Sequence, residues 1–331
     1  MKSIANIAPL DQNPAPCEVI YLMTGLGANL PILLDGAMGT ELIARGLQVR
    51  EEGPEAWNLT RPADVKAVHE SYIAVGATVL QTNSFGITRP RLDRFGLASS
   101  QKDLGARAVD LAKSAAGSAK VWGSIGPTGE SLPLPGKTGA KLDLAWLEEI
   151  YAEAAAALVG VDAIHIETMF HPAEMEAAIR GARAGAATVP IYSSMTLMTG
   201  VTGIETPHGI PISHMIRAAQ AGGPDAIGVN CSIDAEQMRG AVVALKEAFS
   251  LPVIAQPQAK LSAKCATGKS SESPETFAKN TIKLVDAGAS AVGGCCGIGP
   301  AGIAALRSLL DSRFTAPDPS FRGGRVHEVH Q

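Results

Sequence analysis

AIGVNCS (226–232), AEQMRGAVVALKEAF (235–249) and PVIAQPQ (252–258) follow one another in the second half of the chain. The first and third are short apolar runs. The middle one repeats its apolar positions at helical spacing and is rich in good helix formers. A strand, a helix and a second strand is the reading. The same unit recurs on both sides of this stretch. Apolar runs begin at Ile32 (ILLDGAM), Ala77 (ATVLQTNSF), Lys120 (KVWGSIGP), Asp162 (DAIHIETMF), Pro190 (PIYSSMTLM), Ala226, Pro252 and Ala291 (AVGGCCG), eight in all. Alanine-rich stretches such as DLAWLEEIYAEAAAALVG lie between them.

The junctions carry helix punctuation. Pro62, Pro172 and the Ser273-Pro274-Glu275 triplet suit helix starts. Gly76, Gly160 and Gly288 suit helix ends. Strict alternation without a break in composition predicts a single (β/α)8 TIM barrel over 32–313. A doubly wound open sheet is the alternative, but its first junction needs a phosphate-binding glycine spacing that DGAMGTEL (35–42) lacks. Residues 1–31 are expected to be a leader. Residues 314–331 form a polar tail, open to two readings, disorder or docking on a neighbouring subunit of an oligomer.

Composition excludes several classes. The 331 residues are 46% hydrophobic and 18% charged, which suits a large core. A net charge of −4 and the absence of a Lys/Arg block argue against a nucleic-acid partner. No apolar run reaches the roughly 18 residues a membrane span needs, and the N-terminal stretch lacks the apolar segment of a signal peptide. Five cysteines, an odd number, do not resemble a disulfide framework. A reducing cytoplasm, with cysteine used for metal or catalysis, is expected.

In such a barrel the chemistry gathers where strands end at the C-terminal face. Those ends are Asp35, Asn83, Glu167, Asn230-Cys231 and Cys295-Cys296. Zinc takes thiolates in a tetrahedral site, and three protein ligands leave one position for substrate. Strands six and eight are near neighbours around a barrel, so Cys231 can approach the other two. Vicinal residues of a regular strand point to opposite faces. Gly293-Gly294 and Gly297 permit the backbone to leave the pleat there. Residue types alone leave buried inert cysteines or a redox pair open.

Taken in order, LLDGAMGTEL, QTNSFG, GSIGPTG, IETMF, GVNCS and GGCCG resemble the homocysteine S-methyltransferase family, over roughly residues 32–310. The resemblance implies that Cys231, Cys295 and Cys296 ligate Zn2+, and that the reaction moves a methyl group from an activated donor to the thiol of homocysteine, giving methionine. It also sets Asp35 and Glu167 against the amino group of homocysteine, where two carboxylates suit an ammonium. Loop capping by Asp35 and a core ion pair at Glu167 are the structural alternatives. Asn83 and Asn230 are expected to bind substrate or to brace loops and ligands. His165 shares the side of its strand with Glu167 and reads as a satisfied core histidine. The GSIGPTG loop is expected to offer backbone groups to the amino acid's carboxylate.

One departure concerns strand seven. The methionine-synthase branch carries Pro-Asn-Ala-Gly there, with an Asn able to fill the fourth zinc position. This chain reads Pro257-Gln258-Ala259-Lys260, so Gln258, one methylene longer, is the candidate substitute. For the donor, the motifs lean to a methyl-corrinoid on a separate protein, with betaine or a sulfonium compound as alternatives. Trp57 is either a cation–π contact for an onium donor or a loop anchor. Two other classes compete: a (β/α)8 lyase or isomerase on a phosphorylated substrate, and a non-catalytic zinc-binding barrel.

Overall fold

The computed structural model describes residues 31–135, 143–200, 203–260 and 272–314. Its barrel strands are β1 (Ile32–Leu33), β2 (Val79–Gln81), β3 (Lys120–Ile125), β4 (Ala163–Met169), β5 (Ile191–Met195), β6 (Ala226–Asn230), β7 (Val253–Gln256) and β8 (Ala291–Val292). Each is followed by a helix: α1 (Pro62–Ala74), α2 (Gln101–Ala116), α3 (Leu144–Ala156), α4 (Pro172–Gly185), α5 (Ile212–Gly222), α6 (Ala235–Ala248), α7 (Pro274–Asp286) and α8 (Pro300–Phe314). The strands pair in parallel around a ring, β1 on β8 and so on down to β2 on β3. A bridge from Leu34 to Val79 closes β1 onto β2. This is the (β/α)8 barrel that the alternation implies. A small antiparallel hairpin, Met198–Gly200 with Gly203–Glu205, follows β5.

The helix punctuation acts as read. Pro62, Pro172 and Pro274 each open their helix, and the Ser273 hydroxyl accepts from Thr276 N at 3.2 Å. Asp234 caps α6 by accepting from Gln237 N. These contacts satisfy orphan donors of the first turn. The leader and the tail, apart from Pro31 and Phe314, lie outside the described residues. Among the described residues no helix is long and apolar enough to cross a membrane.

Strand alternation sorts the core into two shells. Outward residues such as Leu33, Val121, Ile164, Ile191, Val229 and Val253 pack with the helices. Inward residues form a separate cluster that fills the barrel floor. Its largest members, Trp122 of β3 and Tyr192 of β5, meet edge to face at 4.8 Å between ring centroids.

Above that floor the interior turns polar. His165 is fully buried, with Nε2 2.7 Å from Ser194 Oγ and Nδ1 3.0 Å from Gln81 Nε2. The Gln81 amide nitrogen can only donate, so His165 Nδ1 accepts and Nε2 carries the proton. Burial pushes this imidazole down to about 3, which keeps it neutral. Gln256 donates in turn to Gln81 Oε1 at 2.5 Å. The floor therefore supports a hydrogen-bonded layer, and the site rests on it.

Candidate metal and substrate site

Cys231 follows the last residue of β6, while Cys295 and Cys296 lie three and four residues beyond β8. Their sulfur atoms all lie within 4.8 Å of one another, and Cys231 Sγ is 3.6 Å from Cys296 Sγ. The backbone explains how two vicinal residues reach one point. Strand pairing has already stopped at Val292, and Gly293 passes so close to Asp35 that a Cβ there would sit 2.8 Å from its carbonyl oxygen. Gly297 closes the turn at φ 79°, a conformation that favours glycine. At the other end Cys231 and Ser232 hold φ of 61° and 59°. Two successive non-glycine residues in the left-handed region are strained, and strain of this kind gathers at functional sites.

The trio is half-buried to exposed and borders a cavity of about 240 Å3. The three thiols shift one another's pKa values. Thiol contacts from Cys231 and Cys295 hold Cys296 down to about 3. At Cys231 the Cys295 contact lowers the pKa, but the Cys296 contact, burial and the Cys296 charge outweigh it and carry it up to about 12. Contacts with Cys231 and then Cys296, together with burial, push Cys295 upward as well. A cluster that offers three soft donors to one point suits a thiophilic divalent ion.

Two acids, Asp35 and Glu167, line the same cavity. Glu167 lies where β4 loses register with β5, between Ile166 and Met169, and Thr168 holds φ 63°. A β-branched residue rarely adopts that backbone. Asn230 holds it in place: its Oδ1 accepts from Thr168 N at 2.8 Å, and its Nδ2 donates to Thr168 Oγ1 and to Glu167 Oε2, each at 2.9 Å. Glu167 Oε1 accepts from Ser124 Oγ and, at 3.2 Å, from Gln81 Nε2. Burial lifts Glu167 to about 7, the Ser124 hydrogen bond opposing it.

Asp35 accepts from Gln81 N at 2.8 Å through Oδ2, while Oδ1 is buried without a hydrogen-bond partner. Burial is also the main cause of its raised pKa, with the Glu167 charge adding to it. Gln256 Oε1 is likewise buried and unpartnered. Both residues line the cavity with Glu167. Buried acceptors without donors cost free energy until a donor arrives. An ammonium group supplies several.

The remaining expected residues fall out differently. Asn83 lines the cavity, yet its amide nitrogen is spent on Pro54 O at 2.8 Å and Asn58 Oδ1 at 3.0 Å, so it braces the loop after β1. Asn230 is fully buried and works through Glu167. Trp57 is 1% exposed under the Arg61 guanidinium, 4.0 Å from its ring, and is the loop anchor rather than a donor contact. Of the GSIGPTG loop only Ser124 reaches this cavity, and Gly129 lines a neighbouring one. From β7 the cavity takes Gln256, not Gln258. Gln81, Gln256, Ser124 and Arg91 were missed by sequence reasoning. Position supplied a signal for three: each lies at an inward site near a strand end.

Residues 32–310 match the family model described as homocysteine S-methyltransferase. The chain belongs to the homocysteine S-methyltransferase family. It is 32% identical over 289 residues to methionine synthase of Mycobacterium tuberculosis, covering 81% of this chain and 24% of that protein. For methionine synthase of Mycobacterium leprae the identity is 30%, with 80% and 23% covered. The chain thus spans about a quarter of the length of these relatives. Among solved structures, the metallated homocysteine methyltransferase MmuM of Escherichia coli superposes with a TM-score of 0.68. There the identity is 26%, with 84% of this chain and 96% of that one covered. The homocysteine S-methyltransferase barrel and the cysteine trio at its mouth therefore come together in one chain.

Proposed function

We propose that this protein is a zinc-dependent S-methyltransferase that methylates the thiol of homocysteine to give methionine. The observation that carries the reading is the convergence of Cys231, Cys295 and Cys296 beside a cavity that is also lined by the unpartnered Asp35 Oδ1. A small molecule with a thiol and an ammonium matches those two kinds of group. Family membership, the methionine synthase relatives and the metallated MmuM structure support it.

Cys231, Cys295 and Cys296 would hold the zinc, which when bound stabilises the thiolate form of an incoming thiol near neutral pH. The chain's own residues position the acceptor. Asp35 and Glu167 take its ammonium, and Gln81, Ser124 and Asn230 keep the Glu167 carboxylate aimed into the cavity. Fixing the sulfur beside the donor methyl turns a bimolecular collision into an oriented one. Transfer forms a sulfur–carbon bond and breaks the bond between methyl and donor, whose electron pair leaves with the donor.

For the donor the reading is a methyl-corrinoid carried by a separate protein, which rests on the likeness of the QTNSFG and GSIGPTG motifs to the methionine-synthase branch. The enzyme is placed in the cytoplasm, where thiols stay reduced. The test combines metal analysis of the purified protein with methyl transfer to homocysteine from methylcobalamin, betaine and S-methylmethionine in parallel. Stoichiometric zinc with methionine formation is expected. Activity with only a small onium donor would remove the corrinoid, and no homocysteine-dependent transfer from any donor would remove the function.

A further inference from the structure

Three arginines sit on or just after the short helix Arg89–Asp93, above the cavity. Two have partners. Arg89 pairs with Glu153, and Arg94 reaches Glu130 and donates to Gly129 O. Arg91 differs. Among the described residues no hydrogen bond or ion pair reaches it, and its guanidinium only lies 4.9 Å from the centre of the Phe85 ring. It is partly buried, and both Arg91 and Phe85 line the cavity that holds the cysteines and the two acids.

An arginine presents five N–H donors in a planar fork that matches a carboxylate. Withdrawing that fork from water with no acceptor is unfavourable, and burial acts on it in that sense. The Phe85 face compensates for charge but accepts none of those five hydrogen bonds. Glu55 also lines the cavity and attracts the guanidinium, yet no ion pair or hydrogen bond joins the two, and its Oε1 accepts from Gly86 N at 2.5 Å. So the cavity has an acid wall short of donors and one cation short of an acceptor.

We infer that Arg91, seated against Phe85, is a carboxylate-binding residue of this cavity and recognises the anionic group of one of the two substrates. The inference rests on the proposed function for the identity of those substrates. A carboxylate occurs on homocysteine and equally on small onium donors, so the same fork fits either source. The loop that the sequence nominates for this task, GSIGPTG, reaches the cavity only through Ser124, whose hydroxyl is already committed to Glu167.

The experiment uses zinc-loaded protein and two variants, Arg91→Met, which keeps the stem over Phe85, and Arg91→Lys, which keeps the charge without the fork. Calorimetric titrations compare homocysteine with 3-aminopropane-1-thiol, the same thiol without its carboxylate, and betaine with tetramethylammonium. If the acceptor is the source, Arg91→Met weakens homocysteine about 10- to 100-fold and leaves 3-aminopropane-1-thiol within about twofold, with Arg91→Lys intermediate. If the donor is the source, homocysteine is unchanged and betaine alone weakens. Affinities of all four compounds within about twofold of wild type would overturn the inference. Turnover of the wild-type enzyme is measured beside these titrations. Failure to methylate homocysteine at all counts against the function, whereas normal turnover with unchanged Arg91 variants counts only against the subsite.

Discussion

Asn230 and Glu167 are 63 residues apart in the chain and share one hydrogen bond of 2.9 Å, amide nitrogen to carboxylate oxygen. The next residue after Asn230 is Cys231, so the strand that delivers a sulfur to the trio also aims the Glu167 carboxylate. The same amide holds Thr168 in its left-handed backbone. Replacing Asn230 by Asp substitutes an acceptor for the donor that faces Glu167. The expected result is a rise of about tenfold in the KM for homocysteine at neutral pH, with a stability loss of about 1–3 kcal/mol. Unchanged KM and an unchanged urea midpoint would sever the link between these two residues.

Glu167 also gives the site a pH dependence. Its carboxyl stands at about 7 in the folded chain against 4.5 for the free group, because burial disfavours the ionised form. A group raised on folding stabilises the protein fully below 4.5, and that contribution is lost as pH rises through about 7. Ammonium binding needs the ionised form and runs the other way. Metal-free protein should therefore lose stability between about pH 4.5 and 7 while homocysteine affinity rises. In Glu167→Gln both trends should flatten, as parallel denaturation and binding titrations across that window would register.

The metal reading makes a sharper demand. Cys296→Ala removes the most exposed of the three sulfurs and leaves the strands untouched. Zinc content should fall from about one equivalent to near zero and methyl transfer should vanish, while circular dichroism keeps the barrel signature. Full transfer activity in this variant would end the case for a three-sulfur centre.

How far the sequence carried depends on what each feature rests on. Strand-helix alternation and the placement of Asp35, Glu167 and the cysteines near strand ends follow from local pattern plus the geometry of a closed barrel, and all are visible in the chain. The turn that brings Cys295 and Cys296 together was legible through Gly293, Gly294 and Gly297. The polar layer was not. Gln81, Gln256 and Ser194 look like ordinary inward or junction residues until register sets them against His165. Arg91 was hidden for a different reason, since its want of a partner among the described residues appears only in three dimensions. Trp57 and Asn83 were ambiguous because loop bracing and ligand contact use the same residue types.

The polar layer can be tested by removing its partners singly and together. His165 Nε2 donates to Ser194 Oγ at 2.7 Å in an enclosed interior, where neither group has water to fall back on. Ser194→Ala strands the imidazole N–H, and His165→Leu strands the serine hydroxyl and takes an acceptor from Gln81, which still donates to Glu167. Each single change should cost about 1–3 kcal/mol, the penalty for a buried polar group left unmade. The double variant leaves neither partner stranded, so it should be less destabilised than the sum of the singles by about 1 kcal/mol or more. Denaturant unfolding of the four proteins reads this coupling directly. Strict additivity would mean that the pair contributes nothing as a hydrogen bond, and that the layer under the site is held by packing alone.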